Sequence, residues 1–475
     1  MGFLSPQKIT TMDAARRHRV WALAILIVVY VFNFIDRQVL SILQEDIRHD
    51  LGLNDFQLGM LTGLSFAVIY CTVGIPVARV ADARSRKGVV AVSLAVWSAF
   101  TALCGLAGNF WHLLAARLGV GLGEAGGSPP AHAMISDLYE PEKRGRALAI
   151  YSAGLYIGTL LGYWLGGLLS DALTWRQAFF IVGIPGVVFA IIVWTTVREP
   201  QRGLSGLTPS VEDVTFFQSF RKLWSIKAFR FYSLACGAGL FVTYALGNWV
   251  PSFLQRTYGA WAMPELQHAL GLCKMEIVAG VNDCVVMSTT EIGLIYGTIA
   301  GVGGAIGTLA GGYLADHRGA RDRRWFLWIP MWGKLIGGPL FIASMLAPNA
   351  ELSLLLYFPA IGLAAMYLGP ALAITHHLVP ASMRAMSSAV LFFIFNMIGL
   401  GLGPTLLGIL SDWFNANTGL GELSLRWAMV VCVLAAYPFS ILWHWGAQAL
   451  PKPESDQPSA AAEALTRSAA APNKM

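Results

Sequence analysis

Two charged pairs interrupt stretches that are otherwise apolar. In FNFIDRQVL, residues 32–40, Asp36 and Arg37 close a run that starts at Val20. In FWHLLAARLGVGLGEAGGSPPAHAMISD, residues 110–137, Arg117 and Glu124 stand seven residues apart. At the centre of a membrane helix each such charge costs about 2.5–3.5 kcal/mol. Charges of this kind persist where they face a wet cavity and handle protons or a charged ligand. On a helix Asn33, Asp36, Arg37, Ser41 and Gln44 share one polar stripe, and Arg117 and Glu124 point the same way. At about 1.5 Å per residue, counted from outer ends at Leu43 and Phe110, Asp36 and Arg117 both lie about 10 Å deep and Glu124 about 21 Å. Equal depth predicts an Asp36–Arg117 ion pair, with Glu124 further in. A carboxylate that alternates between apolar surroundings and a neighbouring arginine can load and release a proton. Glu124, deeper and farther from the arginines, is expected to carry it, and Asp36 to organise the cluster. Arg37 and Arg117 do not readily lose their protons, which suits them to hold carboxylates or an anionic headgroup. The plainer alternative for Glu124 is an interhelical pair with no traffic through it.

These residues must be positioned by membrane helices. The chain has 475 residues, of which 56% are hydrophobic and 13% charged. Soluble domains carry about 25% charged residues, so this chain has too little polar surface to cover itself in water. Apolar segments recur at 20–43, 56–80, 88–108, 110–137, 145–170, 176–197, 228–258, 290–315, 325–347, 350–378, 384–411 and 425–447. Each approaches the roughly 20 residues that cross a bilayer, which predicts an all-α protein of twelve spans. Of the 33 Lys and Arg residues, 25 fall on the side that holds the N-terminus, five on the other side and three (Arg37, Arg117, Lys334) within spans. The positive-inside rule then puts both termini in the cytoplasm of an inner (plasma) membrane protein. The net charge of +6 is therefore topological, and nucleic acid is not an expected partner. The basic N-terminal flank resembles a signal peptide, but the run is too long for a cleaved one and reads as an uncleaved first span. Cys71, Cys104, Cys236 and Cys432 fall within spans as packing residues. Cys273 and Cys284 share the outward loop 259–288, where both a disulfide and free thiols fit.

The chain reads as a cytoplasmic segment 1–18, a six-helix bundle 19–197, a linker 198–227 with a basic amphipathic piece, a second bundle 228–447 and a disordered cytoplasmic tail 448–475. The halves match at three places in order: Asp82 with Asp316, Pro141 with Pro380, and GYWLGGLLSD ending at Asp171 with GPTLLGILSD ending at Asp412. Secondary transporters use such duplication to place a site between the repeats. The loops ADARSRK (81–87) and LADHRGARDRR (314–324), with the duplication, resemble the major facilitator superfamily. Pro76 and Ser85 depart from the common loop pattern. That departure, with NFIDRQ, DLGLNDFQLGMLTGLSFAVIY and RLGVGLGEAG, resembles the Spinster branch over nearly the whole first half. The resemblance implies two six-helix bundles related by a pseudo-two-fold axis, and transport of lysophospholipids or sphingoid phosphates or proton-linked transport. It also implies a cytoplasmic gate in which the loop aspartate of one half meets the start of span eleven or five of the other, from Asp82, Arg84, Arg86, Arg144, Asp316, Arg318 and Arg384. The carboxylates would be stabilised there by a helix N-terminus.

The expected function is proton-coupled secondary transport by alternating access, with no cofactor and no metal, of a small amphiphile by a protein expected to be a monomer. Tyr151, Tyr156, Phe241, Tyr244, Trp249, Tyr296 and Tyr367 are candidate cavity aromatics, and the second half offers few amides or acids to ligate a sugar. An exporter of drugs or small organic anions is the alternative; a membrane-embedded lipid-modifying enzyme is a weaker one, since it needs no duplication. No GxxxxGK[ST] motif is present, which leaves an ATP-driven pump without an engine in this chain. G-x-G-x-x-G at Gly121, Gly123 and Gly126 lies inside an apolar helix with no strand before it, so close helix packing is expected. Lys334 falls in a span that the resemblance makes peripheral, which predicts a snorkelling or structural lysine. His376 and His377 have no partners at metal spacing and read as interface packing.

Overall fold

The computed structural model describes residues 12–200, 216–259, 275–278, 281–284, 287–379 and 384–450. Among the described residues, eleven helices are long and apolar enough to cross a bilayer. The twelfth, span four, is broken into Phe110–Glu124 and Ser128–Leu138. The break follows from the sequence, because Gly126 and Gly127 weaken the helix and Pro129 and Pro130 cannot donate backbone hydrogen bonds.

Span one is Met12–Ile42, three is Arg86–Cys104, five is Pro141–Ala172, six is Trp175–Thr196, seven is Lys227–Tyr258 and nine is Trp325–Met345. Spans two (55–83), eight (289–319) and eleven (384–418) each contain a wide π-helical turn, at Met60–Leu64, Ile299–Gly303 and Asn396–Leu402. Ten joins Ala350–Ala365 to Leu368–His377, and twelve runs over 423–448 through a tight turn at Tyr437–Ser440.

Helix starts are set by local capping. Asn54 with Gln57, Thr174 with Gln177 and Ser288 with Glu291 form reciprocal boxes at the heads of spans two, six and eight. Asn109 and Asn349 accept from the third backbone amide of spans four and ten. All five caps lie at one end of the molecule, called here the far end. The opposite, terminal end carries the basic loops 84–87, 143–146 and 318–324.

Packing divides the molecule unevenly. At the far end one hydrophobic core runs through both halves, from Val39, Leu43 and Leu58 to Trp249, Phe253, Tyr296 and Leu407. At the terminal end there are two cores. One is built on Leu94, Trp97, Val120 and Met134 of the first half, the other on Phe229, Tyr232, Leu327 and Trp443 of the second. The halves are joined at the far end and part toward the terminal end.

The G-x-G-x-x-G run serves close packing. A Cβ on Gly123 would meet Trp97 backbone at 2.5 Å, and one on Gly126 would meet Ser93 Oγ. The linker helix Phe216–Ser225 lies against spans seven and eleven and buries Leu223 and Ser219. In the outward loop Met275–Val278 pairs antiparallel with Val281–Cys284. Cys273 and the side chain of Cys284 lie outside the described residues.

Candidate functional site

The first-half charges meet, but not as the depth reasoning expected: Glu124, set deeper and away from the arginines, is bonded by Arg37. Span one brings Arg37 to Glu124 of span four, Nε to Oε2 at 2.8 Å and Nη2 to Oε2 at 2.6 Å. Glu124 is 1% exposed, while the Arg37 side chain is 14% exposed, so one member of this pair still reaches open space. The expected Asp36–Arg117 ion pair does not form. Asp36 Oδ2 instead accepts from Thr101 Oγ1 of span three at 3.2 Å. Arg117 Nε donates to the carbonyl of Leu61 at 3.4 Å, in the π-turn of span two. The guanidinium is thereby met by main chain of the wide turn and not by a carboxylate.

The cluster is incompletely satisfied. Asp36 Oδ1, Glu124 Oε1 and Arg117 Nη1 are buried without hydrogen-bond partners. Aromatic faces fill in around the arginines. The Arg37 guanidinium lies 4.5 Å from the centre of Phe66, 5.2 Å from Phe34 and 5.4 Å from Tyr70, and Arg117 lies 5.6 Å from Phe66. Asn33, 5% exposed, stands one turn before Arg37 on the same face.

Of the cavity aromatics, Tyr156 bridges the halves through a short hydrogen bond to Thr308. Tyr244 is half-buried on span seven, and Tyr367 packs on Phe395 with ring centres 6.0 Å apart. Trp249 is a correction. It is fully buried in the far-end core and donates Nε1 to the carbonyl of Pro404 at 3.0 Å, so it joins spans seven and eleven rather than lining a cavity. Of the two alternatives for Lys334 the structure has the structural one, with the stem turned inward and not toward the lipid surface. Its Nζ lies 3.0 Å from the carbonyl of Ala364, 3.3 Å from that of Gly239 and 3.5 Å from Thr243 Oγ1, with the face of Tyr367 at 5.4 Å. All these acceptors are neutral.

At the terminal end, Arg86 forms an ion pair with Asp137 of its own half, and Glu199 accepts from Ser85 Oγ at 2.7 Å and from the Arg86 amide at 2.8 Å. These bonds hold the loop against span four and the end of span six. Asp316, Arg318 and Arg84 are exposed, Arg144 is half-buried, and Arg318 stacks on Trp325 at 4.5 Å. The side chains of Asp82 and Arg384 lie outside the described residues. His376 Nε2 and Ser388 Oγ share a hydrogen bond at 2.8 Å, and the ring of His377 lies 6.0 Å from that of Phe326.

Sequence reasoning missed the cluster at the far end. Arg256 of span seven grips Asp55 with two bonds of 2.9 and 2.7 Å and Glu45 with one of 2.9 Å, its side chain 2% exposed. Arg48 adds Glu422 at 2.7 Å and Glu45 at 3.3 Å. Gln255 donates to the carbonyl of Ile42 at 3.2 Å, and Ser41 donates to Asn248 at 2.8 Å. A signal existed: Arg256 is one of only five basic residues on its side, and Glu45 and Asp55 stand at the same level. Outside the spans, burial pushes the carboxyl of Asp46 above the usual range, and the Arg176 guanidinium holds that of Asp50 below it.

Comparison with known proteins gives the family. The Major Facilitator Superfamily model matches residues 26–261. An MFS-type efflux pump of Mycolicibacterium smegmatis is 32% identical, over 94% of this chain and 97% of the relative. The sphingosine-1-phosphate transporter SPNS2 of Xenopus tropicalis is 26% identical, over 88% of this chain and 79% of its own length. A crystal structure of a bacterial homologue of the human lysosomal transporter Spinster, inward-facing and unoccupied, superposes with a TM-score of 0.76 at 30% identity, covering 91% of this chain and 97% of that one. The chain is a multi-pass membrane transporter and belongs to the Spinster branch of the major facilitator superfamily.

Proposed function

We propose that this transporter is proton-coupled and moves a single-chain amphiphile with an acidic headgroup, of the lysophospholipid or sphingoid-phosphate class. The observation that carries the reading is the position of Arg37 between a buried acid and open space. Glu124 has Arg37 as its bonded cation, and Arg37 is the member of the pair that reaches the cavity. A proton arriving on Glu124 removes the charge that holds Arg37, and Arg37 then serves the acidic group of a substrate. Conversely, a bound headgroup competes with Glu124 for the same guanidinium. Proton and substrate are thereby linked through one shared side chain. Asp36 and Arg117, each with one polar atom unpartnered, are the groups that re-pair as the cavity changes sides. Lys334, met only by neutral acceptors, is the cation of the second half that faces Tyr367. Such charge-assisted bonds are the strong ones in a dry site.

The sequence assigns 25 of its 33 basic residues to the side that holds the N-terminus, so the terminal end is cytoplasmic in an inner membrane and the form described is inward-open. Asp82, Asp316 and their neighbouring arginines close the cytoplasmic side in the alternate state, and the protein works as a monomer. A second reading draws on the efflux-pump relative: export of drugs or small organic anions through the same arginines.

The test is flux in proteoliposomes under an imposed pH gradient. Phosphate-headed single-chain lipids, a choline-headed counterpart and small aromatic carboxylates are compared. Uphill movement of the phosphate-headed lipid alone supports the first reading, and movement of the carboxylates alone supports the second. Flux of any of these that ignores the gradient overturns proton coupling.

A further inference from the structure

The repeat ending at Asp171 and Asp412 has no part in the transport site, yet both copies do the same thing in space. GLLSD at 167–171 closes span five, and GILSD at 408–412 lies near the end of span eleven. Asp171 Oδ2 accepts from the backbone amide of Thr290, the second residue of span eight in the opposite half, at 3.0 Å. Asp412 accepts from the amides of Asp55 (3.1 Å) and Phe56 (2.8 Å), which open span two of the opposite half. The glycine four residues earlier makes each approach possible. A Cβ on Gly167 would meet the Thr289 carbonyl at 2.8 Å, and one on Gly408 would run into the carbonyl of Asp55. The intervening serine of each copy donates to an acid at the same level, Ser170 to Asp46 at 2.7 Å and Ser411 to Asp55 at 2.6 Å.

The geometry points to GxLSD as a duplicated far-end latch, in which Asp171 and Asp412 are positioning residues that hold the halves together by capping the first turn of a helix in the opposite half. The first amides of a helix have no partners within it and carry the positive end of its dipole. A carboxylate supplied from the other bundle satisfies them only while the far end is shut. Because each half donates one aspartate and offers one helix start, the two latches are related by the same pseudo-two-fold operation as the bundles and release together when the halves rock. A small residue, a serine and an acid at fixed spacing is the least that does this. The glycine lets the backbones touch, and the acid reaches the amides one helical turn further on. The copy at span two is the stronger one, because Asp55, whose amide Asp412 holds, is also gripped by Arg256.

This inference rests on alternating access and not on the identity of the substrate, so its test reads the gate without transport. Ser252 of span seven is fully buried at the far end. In the full-length protein with its six native cysteines replaced, Ser252→Cys is labelled with a membrane-impermeant thiol reagent applied from the far side. Asp171→Ala and Asp412→Ala should each speed labelling by about fivefold, the usual effect of losing a helix cap, and the double substitution by more than either. Asp→Asn at either site keeps an acceptor oxygen and should restore most of the protection, which a merely destabilised bundle would not show. Asp50→Ala is the control, because Asp50 sits at the same end but pairs with Arg176 of its own half. Unchanged labelling in the Asp→Ala variants, or an equal rise in Asp50→Ala, overturns the latch. If the double variant does not fold, the single variants and their Asn counterparts decide on the same criteria. A phosphate-headed lipid that fails to move in the flux assay leaves this outcome untouched.

Discussion

At the scale of single residues, the proposed site combines contacts that are made with buried polar atoms left unmet. The Arg37–Glu124 pair is complete, whereas Asp36, Glu124 and Arg117 each keep one buried polar atom without a partner. Leaving such atoms unmet costs about 1–3 kcal/mol each, a penalty that a protein retains where the groups must change partners. Glu124→Gln mimics the protonated acid and releases Arg37 permanently. It should reduce gradient-driven flux to background while binding and exchange stay within about threefold of the native protein; uphill flux at the native rate would refute the assignment. Asp36→Asn leaves Arg117 its carbonyl partner Leu61, so its damage should be milder than an Asp36–Arg117 pair would have implied. Lys334→Met keeps the stem volume and removes the charge. It should weaken binding of a phosphate-headed lipid by about tenfold, one charge-assisted bond, and leave a choline-headed lipid unaffected, read by equilibrium binding in detergent. Equal losses for both lipids would mean that the substitution disturbs packing alone.

At the scale of elements, the breaks in helices create the site. The interruption of span four after Glu124 and the π-turn of span two at Met60–Leu64 are two such places beside the charged cluster. The second of these supplies Arg117 with the carbonyl of Leu61. Close packing between spans three and four fixes the break, since a methyl group on Gly126 would overlap Ser93. Gly126→Ala should therefore lower thermal stability by about 1–3 kcal/mol, the usual effect of overpacking. Ser93→Ala should recover part of the loss in a double-mutant cycle. Additive losses from the two substitutions would show that this contact does not hold the break.

At the scale of the whole molecule, one shared core at the far end and two separate cores at the terminal end define a clamp closed on one side. Arg256 is its densest knot, a buried cation facing Glu45 and Asp55 from the opposite half. Removing it strands two carboxylates, so Arg256→Ala should destabilise the protein by about 3–5 kcal/mol. Arg256→Met combined with Glu45→Gln and Asp55→Asn should recover much of that in a thermal melt. The opposite gate is tested by cross-linking cysteines placed near Arg84 and at the start of span eleven. Asp82→Asn or Asp316→Asn should lower the yield by weakening closure at the terminal end, and an unchanged yield would remove those aspartates from the gate.

Much of this was legible in the chain itself. Span count and duplication follow from hydrophobic length and helical period, which are local quantities, and the family resemblance lay in the same motifs. Pairing was different. Whether Arg117 meets Asp36 or Leu61, whether Trp249 faces a cavity or a core, and whether Lys334 points to lipid or inward depend on helix rotation and on backbone carbonyls exposed by wide turns. Neither has a signature in the spacing of side chains. The far-end cluster shows the limit most clearly. Glu45, Asp55, Arg256 and Glu422 come from four separated segments, and each alone is an ordinary charge beside a span. Only the docking of the two halves, which buries them together where water cannot compensate unpaired charge, made them one site.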